Sequence, residues 1–129
     1  MAPARAPTAR RIRVAAVQLE GRIAEIESNL DRVEALLGRA LDRKPDVIAL
    51  PEFFTTPIGY DRALYACSLP PENPALDLLR TVARRHRISI GGSYLEHRDG
   101  DVFNTYVFVE PDGTVHRHAK DLPTMVENA

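Results

Sequence analysis

Residues 46–54 read DVIALPEFF and join a short apolar strand to an acidic side chain. The apolar, β-branched part, residues 46–50, is typical of a strand that is buried on both faces. Glu52 follows this strand by two residues. In open α/β sheets, ligands bind beyond the carboxyl ends of the strands. The segment therefore predicts a central strand and a candidate site residue at its end.

The residues before this strand complete a β-α-β unit. Residues 12–19 (IRVAAVQL) predict another strand buried on both faces. Between the two strands, apolar residues recur at helical spacing and predict an amphipathic helix near residues 24–43. Ser28 or Asn29 is expected to cap this helix, and Pro45 to end it. Two strands joined by a helix of this length are expected to be parallel.

The residues after Glu52 predict two more helices and three more strands. The expected helices cover residues 61–67 and 74–86, and the expected strands cover residues 88–96, 102–109 and 114–118. Glycine-containing turns separate the last three strands. The predicted fold class is therefore α/β, with a mixed sheet whose early strands are parallel and whose last strands form an antiparallel meander. The two longer helices are expected on the same face.

Composition sets the protein class without indicating an activity. The chain has 129 residues, of which 44% are hydrophobic and 27% charged, as in a single globular domain. Seventeen basic and eighteen acidic residues leave no positive field that would hold nucleic acid or an anionic membrane. The longest apolar run, residues 47–51, is far shorter than the roughly 20 residues of a membrane span. We therefore expect no nucleic-acid partner, no membrane partner and a cytoplasmic location.

The two ends of the chain carry little folding information. Residues 1–11 contain three arginines, two prolines and no acid, so a disordered lead-in is expected. An organelle-targeting segment is the alternative interpretation of the same composition. The other end stops at Ala129 without a helix, a charged tail or a glycine-rich run, and it resembles a cut.

Lys120 is the second candidate site residue, because it follows the last predicted strand. A lysine leaving a strand can supply positive charge to a site, and it is one of only two lysines among seventeen basic residues. The alternative interpretation of Lys120 is a solvated surface lysine. The corresponding alternative for Glu52 is an exposed glutamate in a loop. His116 and His118 share a strand face, but no third ligand accompanies them, so no metal site is predicted. The single cysteine, Cys67, is interpreted as a spectator thiol.

The order of several short motifs resembles the nitrilase superfamily of carbon–nitrogen hydrolases. The motifs are Ala16-Val17-Gln18, Leu50-Pro51-Glu52-Phe53, Ile90-Gly91-Gly92-Ser93-Tyr94, Phe103-Asn104-Thr105, Pro111-Asp112-Gly113 and a basic strand ending in Lys120. The resemblance implies a four-layer α-β-β-α sandwich, of which residues 12–129 would be the amino-terminal half within one domain.

The resemblance also assigns roles to particular residues. Glu52 matches the family's general base, and Lys120 matches the lysine that stabilises the oxyanion. Glu127 is a candidate for a second glutamate that several members use. The family's nucleophilic cysteine lies well beyond the lysine, and Cys67, which precedes Lys120, does not match it. Two of three catalytic roles are thus expected in this chain.

The implied activity is cleavage of a non-peptide carbon–nitrogen bond in a small amide, nitrile or carbamoyl compound. No metal or organic cofactor is implied, and the full-length form is expected to be a homo-oligomer. Two alternatives stay open: a non-catalytic, truncated or partner-binding fragment of the fold, and transfer of the acyl group to an amine instead of water.

Overall fold

The computed structural model of the protein describes residues 9–59 and 63–123, and its elements follow the predicted order. They are β1 (Val14–Ala16), α1 (Ile26–Leu41), β2 (Val47–Ala49), α2 (Ala63–Ala66), α3 (Pro74–His86), β3 (Ser89–Arg98), β4 (Asp101–Val109) and β5 (Val115–Ala119). Most of the expected lead-in, residues 1–8, lies outside the described residues, as does Glu127. Within the described ranges, no helix has the length and apolar composition needed to cross a bilayer.

The five strands form one mixed sheet in the order β1-β2-β3-β4-β5. β1, β2 and β3 are parallel to one another, and β4 runs antiparallel to both β3 and β5. The predicted parallel start and antiparallel meander are therefore confirmed. Because β2 and β5 point the same way, their carboxyl ends lie at the same edge of the sheet.

The hydrophobic core lies between one face of this sheet and the helices α1 and α3. α1 contributes Val33 and Leu37, whose spacing places them on one side of the helix. α3 contributes Leu76, Leu79 and Val82. The sheet contributes alternate residues of its strands, which are Ile48, Ile90, Tyr94, Val107 and Val109. The prediction that both longer helices pack on the same face is confirmed.

The opposite sheet face is largely exposed in the described part of the chain. Its large apolar side chains include Val14, Val102 and Tyr106, which are 61%, 38% and 42% exposed. Only a small cluster, in which Phe53 and Leu64 pack on Leu95, covers one part of it. The prediction that β1 is buried on both faces is wrong. β1 is an edge strand, and this second face carries no continuous layer of described residues.

The expected cap of α1 is also wrong, and the side chain involved has another role. Glu25 occupies the N-cap position and makes no side-chain capping hydrogen bond. Asn29 lies inside the helix, fully buried, and its amide joins two loops. It accepts from the Arg22 N–H at 2.8 Å and donates to the carbonyl oxygens of Arg22 and Thr55 at 2.7 and 2.9 Å. Buried polar groups are almost always hydrogen-bonded, and here the Asn29 amide meets that requirement by linking the two loops instead of capping the helix.

A buried carboxylate ties β3 to β5 on the helix-covered face. Glu96 is fully buried, and its two oxygens accept hydrogen bonds from Arg98 at 3.0 Å and Arg117 at 2.9 Å. Arg117 also reaches Glu72, at 3.2 Å, in the loop before α3. A hydrogen bond from Arg80 lowers the pKa of Glu72. The network thus joins α3, β3 and β5.

We expect Glu96→Ala to lower the free energy of unfolding by roughly 2–3 kcal/mol, measured by urea denaturation. Removing the buried carboxylate takes away the acceptor that Arg98 and Arg117 share, although Arg117 keeps its bond to Glu72. The loss is smaller than for a fully buried pair because Arg98 and Arg117 are 35% and 27% exposed. The control is Glu34→Ala, which removes an exposed carboxylate on α1 and is expected to change stability by less than about 0.5 kcal/mol. Equal stability of the two variants would contradict a structural role for Glu96.

Candidate active site

The backbone just after β2 positions Glu52. Phe53 has a φ of +55°, a left-handed conformation that is unfavourable for a bulky residue and is held by its surroundings. Ser93 on β3 holds this turn: its Oγ accepts from the Phe53 N–H at 3.1 Å, and its carbonyl accepts from the Phe54 N–H at 3.0 Å. The chain that follows β2 therefore runs along β3, and the Glu52 side chain is carried toward β4 and β5.

The close approach of this turn to β3 depends on Gly92. A Cβ atom at Gly92 would lie 2.7 Å from Phe54 and 2.8 Å from the Cβ of Leu50. Neither neighbour can move freely, since both belong to the core. Gly92 therefore allows the segment that bears Glu52 to pack closely on β3.

Lys120 and Asn104 complete the cluster around Glu52. The Lys120 N–H donates to the Asn104 carbonyl at 2.9 Å, which continues the β4–β5 pairing by one residue. The Lys120 Nζ lies 3.1 Å from the Glu52 Oε1, although the two residues are 68 positions apart. The Asn104 Nδ2 donates to the same oxygen at 2.7 Å. The charged atoms of Glu52 and Lys120 are therefore in direct contact, close enough for each charge to favour the other.

The Glu52 carboxylate is open to solvent in the described part of the chain. The Glu52 side chain is 56% exposed, and that of Lys120 is 33% exposed. The aromatic rings point elsewhere: Phe53 into its cluster with Leu64 and Leu95, and Phe54 into the main core.

A cavity of about 280 Å³ opens beside the ion pair on the exposed sheet face. Its lining residues are Glu52, Ser93, Asn104, Tyr106, His118, Lys120 and Asp121. A carboxylate that can accept a proton stands here next to an ammonium group that can stabilise an anion. Those are the two charges that acyl transfer from an amide requires besides a nucleophile.

Of the other candidate residues, His118 lines this cavity, whereas His116 and Cys67 do not. His116 pairs with Glu110 at 2.7 Å, and His118 lies 3.6 Å from Asp121. Across residues 9–59 and 63–123, no three His, Cys, Asp or Glu side chains come together as a metal site would need. Cys67 follows α2, and its N–H donates to the Leu64 carbonyl at 3.1 Å.

Asn104 and Ser93 are the site residues that spacing alone did not identify. Both belong to short motifs that resemble the family, but the resemblance assigned no function to either residue. The alternation of side chains between the two faces of the sheet could have identified Asn104. This residue pairs with Leu95 of β3, and both side chains lie on the face opposite the helices.

Fold and site together define an α/β protein with a carboxylate–ammonium pair at the carboxyl-terminal edge of its sheet. The chain belongs to the carbon–nitrogen hydrolase family, whose sequence model matches residues 13–127. It is 35% identical to the omega-amidase YafV of Yersinia enterocolitica over 96 residues, covering 74% of this chain and 36% of the relative. It is 37% identical to the omega-amidase NIT2-A of Xenopus laevis, covering 67% of this chain and 32% of the relative.

Solved structures support the same fold. A carbon–nitrogen hydrolase superfamily protein of Xanthomonas campestris, XC1258, crystallised with an arsenic adduct in its active site, is 29% identical. It matches with a TM-score of 0.74 over 84% of this chain and 40% of its own. An N-terminal amidase matches with a TM-score of 0.80 at 21% identity, over 91% of this chain and 29% of its own. The chain thus spans well under half the length of its relatives.

Proposed function

We propose that this chain supplies the general base and the oxyanion-stabilising cation of a cysteine-dependent carbon–nitrogen hydrolase. The substrate is a small amide, nitrile or carbamoyl compound. The observation that carries the proposal is the 3.1 Å contact between Lys120 Nζ and Glu52 Oε1. These are the two residues that match the family's base and cation.

In this proposal Glu52 transfers protons in both halves of the reaction. For an amide, it takes the proton of a nucleophilic thiol, whose sulfur attacks the substrate carbon, and passes that proton to the leaving amine as the carbon–nitrogen bond breaks and the thioester forms. It then takes a proton from the water that attacks the thioester and returns it to the sulfur as the carbon–sulfur bond breaks, which releases the acid and the thiol. Asn104 orients the carboxylate through its hydrogen bond of 2.7 Å. This asparagine is a positioning residue, because it acts through Glu52.

Lys120 acts on the charge that develops when the thiolate attacks. The carbonyl oxygen, or the nitrile nitrogen, becomes anionic in the tetrahedral or imidate intermediate, and an ammonium group nearby stabilises it. The contact with Glu52 holds the ammonium group in place. Neither step calls for a metal or an organic cofactor.

The thiol is expected to come from outside these 129 residues. Cys67 is the only cysteine in the sequence, and it is not among the residues that line the cavity beside Glu52. A general base must lie within hydrogen-bond reach of the proton that it takes, about 3 Å. The family's nucleophile position, beyond the lysine, supports a cysteine further along a longer chain.

We therefore expect the purified 129-residue chain to hydrolyse none of a panel of small amides and nitriles, measured as released ammonia. Cys67→Ser is expected to behave identically. Turnover that disappears in Cys67→Ser would identify Cys67 as the nucleophile and contradict the proposed location of the thiol.

The positive test uses a hybrid protein. It consists of residues 1–129 followed by the carboxyl-terminal part of the Yersinia omega-amidase, which follows the segment that aligns with this chain. We expect this hybrid to release ammonia from small amides, because it restores a family cysteine opposite Glu52 and Lys120.

A folded hybrid without turnover would favour the second candidate, a non-catalytic fragment that binds a partner through the exposed sheet face. That candidate is supported by the exposure of Val14, Val102 and Tyr106 on this face. Self-association of the full-length form, which light scattering would measure, remains a prediction from the family resemblance. A cytoplasmic location remains a prediction from the composition of the sequence.

A further inference from the structure

A second cavity, of about 310 Å³, adjoins the one that contains Glu52. The two cavities share Asn104 and Lys120 as lining residues. The other lining residues of the second cavity are Ile58, Leu64, Tyr65, Leu95, Asp101, Val102, Phe103 and Pro123. A molecule whose polar end lies at Lys120 would therefore place its other end among mostly apolar side chains.

The floor and the rim of this cavity differ in burial. Leu64 and Leu95, in the floor, are buried and form a cluster with Phe53 directly behind the turn that holds Glu52. The rim carries Ile58, Tyr65 and Val102, each 37–38% exposed. These are three of the eight large hydrophobic side chains exposed in the described part of the chain, and they surround a single cavity. Exposed apolar groups gathered around a concave site are typical of a binding pocket.

We propose that this second cavity binds the acyl part of the substrate and that the acyl part is apolar. This inference rests on the proposed function, since it places the reacting carbon at Lys120 and Glu52. The favoured substrates are amides or nitriles whose aliphatic or aryl group is long enough to extend from Lys120 to Leu64 and Leu95. Acetamide leaves the cavity unfilled. A carboxylate at the far end of the chain is disfavoured, because apolar walls do not solvate it and the one acidic lining residue, Asp101, repels it.

The size of the preference follows from the apolar area removed from water. Each buried methylene group favours binding by up to about fourfold. Hexanamide has four more methylene groups than acetamide, so we expect it to bind at least ~20-fold more tightly, allowing for incomplete burial. Adipamic acid, which has the same length but ends in a carboxylate, is expected to bind at least ~10-fold more weakly than hexanamide.

The test is a titration of the isotopically labelled 129-residue chain, followed by NMR shifts of backbone amides. The probes are acetamide, hexanamide and adipamic acid. We expect hexanamide to shift the amides of Tyr65 and Val102, and Val102→Asp to weaken its binding at least ~10-fold. The matched control is Val14→Asp, which alters an exposed valine on the same sheet face at the opposite edge and is expected to leave the affinity unchanged. Tyr65→Ala tests the opposite rim if Val102→Asp disturbs the β3–β4 turn.

This design distinguishes failure of the proposed acyl cavity from failure of the proposed catalytic function. Equal affinity for acetamide and hexanamide, or an equal loss in Val102→Asp and Val14→Asp, would overturn the acyl cavity. The titration requires no nucleophile, so a preference for hexanamide in the chain would stand even if the hybrid with Glu52 and Lys120 had no activity. If the chain self-associates too strongly for NMR, the same probes and variants are compared in the hybrid by their KM values, with the same expected ratios.

Discussion

Replacing Glu52 with glutamine in the hybrid protein is expected to lower kcat by at least ~100-fold. Glutamine keeps the size of the side chain and its contact with Asn104 but cannot accept the proton of the thiol. The measurement is steady-state ammonia release at saturating amide. Because a general base acts in the transition state, we expect the loss mainly in kcat, with KM changed little.

The matched control for this variant is Glu110→Gln. Glu110 follows the last residue of β4, and its carboxylate pairs with His116 rather than with Lys120. Its replacement is expected to leave kcat within about twofold of the unmodified hybrid, as surface substitutions usually do. Near-normal activity of Glu52→Gln, or equal losses in both variants, would contradict the role of general base.

Replacing Lys120 with methionine in the hybrid is also expected to lower kcat by at least ~100-fold. Methionine keeps an unbranched chain of similar length but removes the ammonium group that stabilises the developing anion. It also leaves Glu52 without its 3.1 Å partner. The same ammonia assay measures the effect.

The chain contains its own control for this second variant. Lys44, the only other lysine, lies in the turn between α1 and β2. Lys44→Met is expected to retain nearly full activity. Lys120→Arg adds a further comparison, because a guanidinium group preserves the charge but differs from an ammonium group in shape. Full activity in Lys120→Met would contradict the role of the lysine, whatever the result with arginine.

The fold was largely predictable because its elements have strong local patterns. α3 covers residues 74–86, as expected, since proline at its start and the Asn73 side chain, which accepts the Leu76 N–H at 2.9 Å, fix its first turn. The burial of β1 was not predictable from its apolar residues. Whether an apolar strand is central or at an edge depends on pairing with distant segments, and a single strand's composition does not encode that pairing.

The charged residues of the candidate site could be predicted from the sequence, but its uncharged polar residues could not. Glu52 and Lys120 stand out because each follows a strand and each matches a family motif. Asn104 and Ser93 are ordinary strand residues in sequence. Their roles depend on the turn at Phe53, whose left-handed backbone brings Glu52 over β3. Asn29 shows the same limit, since its hydrogen bonds to two loops exist only once both loops are in place.

The central claim is that Glu52 and Lys120 act as one catalytic unit on a carbon–nitrogen bond. The most direct test is a double-mutant cycle in the hybrid, with kcat/KM measured for Glu52→Gln, Lys120→Met and the double variant. Groups that act as a unit lose most of their effect when either is removed. We therefore expect the kcat/KM of the double variant to lie within about tenfold of that of the less active single variant. Single variants with near-normal kcat/KM, or losses that multiply to ~10⁴-fold or more in the double variant, would contradict the claim.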